Sequence, residues 1–145
     1  MKKIFKLIFV LLIIILIGVT SINAVNASNG RDITAPRWSV VIADKVSIGK
    51  TITGTVVCYD LNGLSDSSIS PSDFNIKGGL FIKKIKVVEV SNPVSYDGMS
   101  YTWNFKIKGI LIGNASISLD VGAVVDKTGN GNLANMQRNI KVKLI

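Results

Sequence analysis

From Tyr101 to Lys108 the side chains alternate without a fault. Tyr101, Trp103, Phe105 and Ile107 fall on one side, and Thr102, Asn104, Lys106 and Lys108 on the other. A period of two is the pleat of a β-strand, whereas a helix would scatter the same residues around its circumference. This stretch therefore reads as a strand with one buried face and one wet face. An aromatic row on a strand also suits sugar stacking, but perfect alternation with polar residues marks it as core.

The period recurs along the chain. In residues 51–60, Ile52, Val56 and Cys58 oppose Thr51, Thr53, Thr55 and Tyr59. In 115–121, Ala115, Ile117, Leu119 and Val121 share a face, and in 139–144, Ile140, Val142 and Leu144 alternate with lysines and Asn139. Shorter candidates are Trp38 to Ile42 and 73–77, where Phe74 and Ile76 coincide. Residues 80–90 slip in phase, which implies a bulge near Lys83-Lys84 or an edge position. Gly78-Gly79 reads as a two-residue hairpin turn. About seven strands separated by turn signals, with no helical periodicity beyond the leader, predict an all-β antiparallel sandwich of two sheets.

That leader is distinct. Lys2, Lys3 and Lys6 precede thirteen apolar residues, 7–19, and a polar stretch closing on Val25-Asn26-Ala27. The order is that of a secretory signal peptide, and the run is too short for the roughly 20 residues that span a bilayer. Cleavage is expected after Ala27, with Ala24 the second choice and a retained anchor the alternative. Taking 27 residues and three lysines from a chain of 145 residues and charge +8 leaves 118 residues and +5. The organisation expected is a signal peptide at 1–27, a flexible lead-in at 28–35 and one domain at 36–145, secreted or held at the cell surface, with no membrane contact once the leader is gone. A domain of this length closes a core without staples. With a single cysteine, Cys58, no intrachain disulfide can form, and its place on an apolar strand face makes it a small buried hydrophobe.

Between the last two strands lies Val124-Val125-Asp126-Lys127-Thr128-Gly129-Asn130-Gly131-Asn132. The valines read as the end of a strand, and 126–132 as a loop with nothing to bury. Asp126, Asn130 and Asn132 can bond back to local amides, and the glycines accept positive φ. Together with Asp32-Ile33-Thr34-Ala35-Pro36 at the start and Ser72-Asp73-Phe74-Asn75-Ile76-Lys77-Gly78-Gly79 in the middle, this loop resembles the bacterial immunoglobulin-like domains of large surface and adhesin proteins, over residues 32–145. The resemblance implies a seven-stranded Ig-like sandwich outside the cell, acting as a spacer or a binding module, and no catalytic activity. Such domains usually come in tandem, whereas this chain holds one copy.

The inventory of reactive groups agrees. There is no histidine, one glutamate, Glu89, and a lone cysteine, so nucleophile, base and orienter cannot be assembled. Asp60 and Asp66, the one conceivable carboxylate pair, sit among turn residues and read as solvated caps. No cofactor is expected, with calcium the one exception to weigh. Asp126, Thr128 and Asn130 match the first half of a calcium loop, but the twelfth position is Gln137 where a bidentate glutamate belongs, and a self-capping turn accounts for the same residues. Lysines 83, 84, 86, 106, 108, 141 and 143 fall on wet strand faces. If those strands are neighbours, Lys83, Lys84, Lys86, Lys106, Lys108, Lys141 and Lys143 form a basic face for anionic wall polymer or polysaccharide; otherwise they keep sheets soluble. Nucleic acid is not expected, since no stacking aromatics interleave these lysines. The function expected is an exported, non-catalytic module for surface interaction or adhesion with a protein or anionic glycan partner. The alternative is a structural spacer or self-assembling surface subunit without a ligand of its own.

Overall fold

The computed structural model describes residues 32–65, 69–95, 97–133 and 137–144, so the leader and residues 28–31 lie outside it. Nine strands follow in order among the described residues: β1 (Arg37–Val41), β2 (Lys45–Ser47), β3 (Thr51–Tyr59), β4 (Phe74–Lys77), β5 (Ile85–Val90), β6 (Val94–Ser95), β7 (Ser100–Gly109), β8 (Gly113–Leu119) and β9 (Arg138–Lys143). They form two sheets. The first runs β1-β3-β7-β5 with β6 also on β7, and the second runs β2-β9-β8-β4. This is the two-sheet β-sandwich that the alternation predicts, of the Ig-like kind that the resemblance implies.

The perfect alternation of β7 explains its central place. It pairs with β3 along the whole of β3, from Thr51 opposite Lys108 to Tyr59 opposite Ser100, and with β5 and β6 on its other edge. Trp103, Phe105 and Ile107 turn inward and are buried, which removes the sugar-stacking use of the row; Tyr101, only partly buried, stacks on Trp103. Facing them from the second sheet are Phe74, Ala115, Ile117, Leu119, Ile140 and Val142, with the rings of Phe74 and Phe105 4.9 Å apart. Among the described residues the buried core runs from Trp38 to Val142.

Several local expectations are corrected. Two of the nine strands among the described residues, β2 and β6, are only three and two residues long, too short to show a period in the sequence. β2 pairs with β9 in parallel, so the second sheet is mixed. Gly78-Gly79 closes no hairpin, because β4 and β5 belong to different sheets; both glycines have positive φ and carry a crossover. Residues 80–84 are outside the strand, and the register of β5 against β7 shifts between Val87 and Glu89, later than Lys83-Lys84, while β5 does hold the edge position that is the other expectation. β8 stops at Leu119, leaving Val121 exposed. Val124 and Val125 end no strand: Val125 forms an isolated bridge with Gly131, and Val124 is buried under the loop.

Candidate functional site

The loops gather at two poles. One pole collects the segment before β1, the ends of β3 and β8, the segments entering β4 and β7, and the 120–133 loop. Six of the nine acidic residues are here: Asp32, Asp60, Asp73, Asp97, Asp120 and Asp126. Three of them converge. Asp32, Asp60 and Asp126 each bring a carboxylate oxygen within 4.8 Å of the others.

Asp126 is held by its own loop. Its Oδ1 accepts from the amides of Thr128 and Asn130 and from the Thr128 hydroxyl, all at 2.8 Å, and its Oδ2 accepts from Asn130 Nδ2 at 2.7 Å. This is the self-capping turn foreseen in the sequence, but not a solvated one. Asp126 and Asn132 are buried, because Asn132 spans the loop, accepting from the Val124 amide and donating to the Asp120 carbonyl at 2.8 Å each. Asp60 follows β3 and is also buried, contrary to its reading as a solvated cap, though it does cap the Asn62 amide at 2.8 Å. Asp66 lies outside the described residues. Asp32 comes from the segment read as a flexible lead-in, yet Asn130 Nδ2 donates to its carbonyl at 3.2 Å and Thr34 donates to its Oδ1. The other oxygen, Asp32 Oδ2, is shut off from solvent and makes no hydrogen bond of ordinary geometry, the Asn62 side chain only helping to hold the carboxyl low.

These surroundings split the acidities. Burial pushes the Asp60 carboxyl up, with the Asp32 and Asp126 charges adding to it against the one amide bond. Burial also raises Asp126, but the bonds from Asn130 and Thr128 outweigh it and hold the group below the usual range. Thr34 holds Asp32 low. Among the described residues the two salt bridges, Lys45–Asp44 and Lys106–Glu89, lie away from the trio. Three converging carboxylate oxygens suit a hard divalent cation.

The donor set differs from the one legible in the loop. Thr128 and Asn130 direct their protons at Asp126, and Thr128 Oγ1 itself accepts from Asn130 Nδ2 at 2.9 Å. The carboxylates that join Asp126 come instead from 94 and 66 residues upstream, Asp32 and Asp60. No spacing rule links them; only the Asp-x-Thr-Ala-Pro opening hinted that Asp32 had a fixed place.

The seven lysines do not share a face. Lys86 and Lys106 lie on β5 and β7 of the first sheet, with Lys86 opposite Lys108 and Lys106 paired to Glu89 at 2.7 Å. Lys141 and Lys143 are on β9 of the second sheet, while Lys83 and Lys84 precede β5 at the other pole. Cys58 is buried in the core, and burial pushes its thiol far up.

No family profile and no curated protein matches the sequence. Among solved structures the chain is similar to a GspB Siglec domain, with a TM-score of 0.48, 17% identity, and coverage of 79% of this chain and 60% of that one. It is also similar to a cohesin module from the Clostridium perfringens ATCC13124 family 33 glycoside hydrolase, with a TM-score of 0.40, 12% identity, and coverage of 77% and 99%. This chain thus spans less than two-thirds of the Siglec-domain chain.

Proposed function

We propose that this chain is an exported, non-catalytic Ig-like module for interaction at the cell surface, and that calcium locks the loops of its acidic pole. The convergence of Asp32, Asp60 and Asp126 around a shut-off oxygen supports the calcium role. Ionised together without a cation, the three repel one another in a partly dry site. A bound calcium turns that repulsion into cross-linking of three segments remote in sequence, and fixes the loops at one end of the sandwich. Loops on a rigid sandwich are where such modules carry their contacts. The proposed partner is a protein or an anionic glycan, and the signal-peptide pattern of residues 1–27 supports a meeting outside the cell.

Extracellular calcium sites bind in the range of about 0.1–1 mM, so calcium at tenfold excess over its Kd should add about 1.4 kcal/mol, or roughly 5 °C in melting temperature. Chelator should reverse the gain, and magnesium should give less of it. A melting temperature indifferent to calcium removes the cation. Surface interaction is tested separately, by retention on anionic wall polymer at low salt and release at high salt. A chain that shows no retention and grows in size by light scattering is instead a self-assembling subunit.

A further inference from the structure

The opposite pole has a different chemistry. There the crossover at residues 78–84 lies beside the β7–β8 turn, and the amides of Ile110 and Leu111 both donate to the Lys84 carbonyl, at 2.8 and 3.2 Å. The two loops present Leu80, Phe81, Ile82, Ile110, Leu111 and Ile112 to solvent. Leu80 and Phe81 are 95% and 96% exposed, at the limit of what a side chain can show. Gly78 and Gly79, at φ 107° and 93°, carry the chain out of β4 into this crossover. Scattered exposed apolar residues are ordinary, but six on two adjoining loops form a patch of the kind soluble surfaces avoid.

Lysines surround it. Lys77 ends β4, Lys83 and Lys84 close the crossover, Lys86 and Lys108 face each other across β5 and β7, Lys50 bonds through its carbonyl to the Gly109 amide, and Lys143 ends β9. Segments 47–51, 76–86, 107–113 and 142–144, which build this pole, contain no aspartate or glutamate. The tip is thus a convex apolar prong in a wholly cationic collar.

We propose that this tip docks on a lipid bilayer bearing anionic headgroups. The apolar side chains would enter the boundary between headgroups and acyl chains, and the ammonium groups, on long flexible stems, would stay at phosphate depth. A second copy meeting tip to tip would set like charges against each other, and a protruding prong offers no groove for a peptide. The contact is peripheral: among the described residues no helix is long and apolar enough to cross a membrane. It departs from the expectation that membrane contact ends with the leader, and it is independent of calcium at the far pole.

The test uses the chain from Ser28 onward, which keeps every buried core residue among the described residues, with vesicles of phosphatidylcholine alone or with added phosphatidylglycerol. Expected is co-sedimentation with the anionic vesicles at low salt. Joint L80S, F81S and I82S should lower partitioning at least about 100-fold. Joint K83Q and K84Q should lower it about 20-fold and flatten its salt dependence. In the F81W variant, which leaves the tip apolar, the new indole emission should shift blue on anionic vesicles and be quenched by brominated acyl chains. Protein left in the supernatant at low salt, a serine variant that partitions like the parent, or an unshifted F81W emission each overturns the proposal. So does lipid-free association abolished by the serine changes, which would assign the tip to a second copy.

Discussion

At the scale of single residues, the alternating pattern leaves little room at the positions where the two sheets touch. Gly54 faces Phe105 across β3 and β7, and a Cβ placed on it would stand 2.5 Å from the Phe105 ring. Gly54→Ala must therefore displace a core ring, and we expect a loss of about 1–3 kcal/mol in denaturant unfolding, typical of overpacking. Cys58 should stay unlabelled by a thiol reagent in the native protein and react once it is denatured, because the raised thiol is both neutral and enclosed. Asp60→Asn keeps an oxygen for the Asn62 amide while removing one of three facing charges. In chelator the variant should melt higher than the parent, and its calcium-induced shift should vanish; an undiminished shift would place calcium elsewhere.

At the scale of elements, β1 is an edge strand paired to β3 on one side only, and it is tied down by side chains. Trp38 Nε1 donates to the Leu133 carbonyl at 2.6 Å, and Arg138 Nε, from the other sheet, donates to the Val40 carbonyl at 2.8 Å. Trp38→Phe keeps most of the buried ring and gives up the bond, so a cost of about 1–3 kcal/mol is expected, with faster amide exchange concentrated in β1 and residues 130–133. Uniform acceleration across the molecule would mean that β1 does not open separately. The crossover at residues 78–84 departs from the hairpin expected of Gly78-Gly79 for a reason that lies in strand pairing. Gly-Gly between two apolar runs carries the hairpin signal, but a hairpin also needs both runs in one sheet, and β4 finds β8 while β5 finds β7.

At the scale of the whole molecule, six of the eight acidic residues among the described residues gather at one pole, while the segments of the other pole carry lysines and no carboxylate, and the acidic pole sets the response to pH. Asp97, like Asp126, is raised by burial but lowered further by hydrogen bonds, here from the Ser100 and Met99 amides. Asp32, Asp97 and Asp126 all titrate below their ordinary value of 3.8 in the folded protein, so their stabilisation is intact above that pH and lost as pH falls through the folded values. Asp60 has the opposite sign. Its folded value is above 3.8, so it costs stability when ionised, and the cost is relieved as pH falls through that raised value. In chelator the melting temperature should therefore rise slightly on mild acidification and collapse below about pH 3.8, and Asp60→Asn should remove the rise. A steady decline from neutrality in the parent would contradict it.

The period of two by itself determined the fold class, the inward faces of β3, β7 and β9 and the burial of Cys58, because alternation with polar residues has one solution when a single face must be hidden. Local side-chain chemistry determined the turn at Asp126, whose partners Thr128 and Asn130 are two and four residues away. Only the tertiary structure decided what meets at the poles. Asp32, Asp60 and Asp126 converge because sheet packing brings the chain's opening, the end of β3 and the 120–133 loop to one end. The division of the lysines between two sheets has the same cause: strand partners are chosen by long-range closure, which leaves no mark in local sequence. Residues 80–82 show the limit most plainly, since an apolar run is the same letters whether it is buried in a sheet or held out in water.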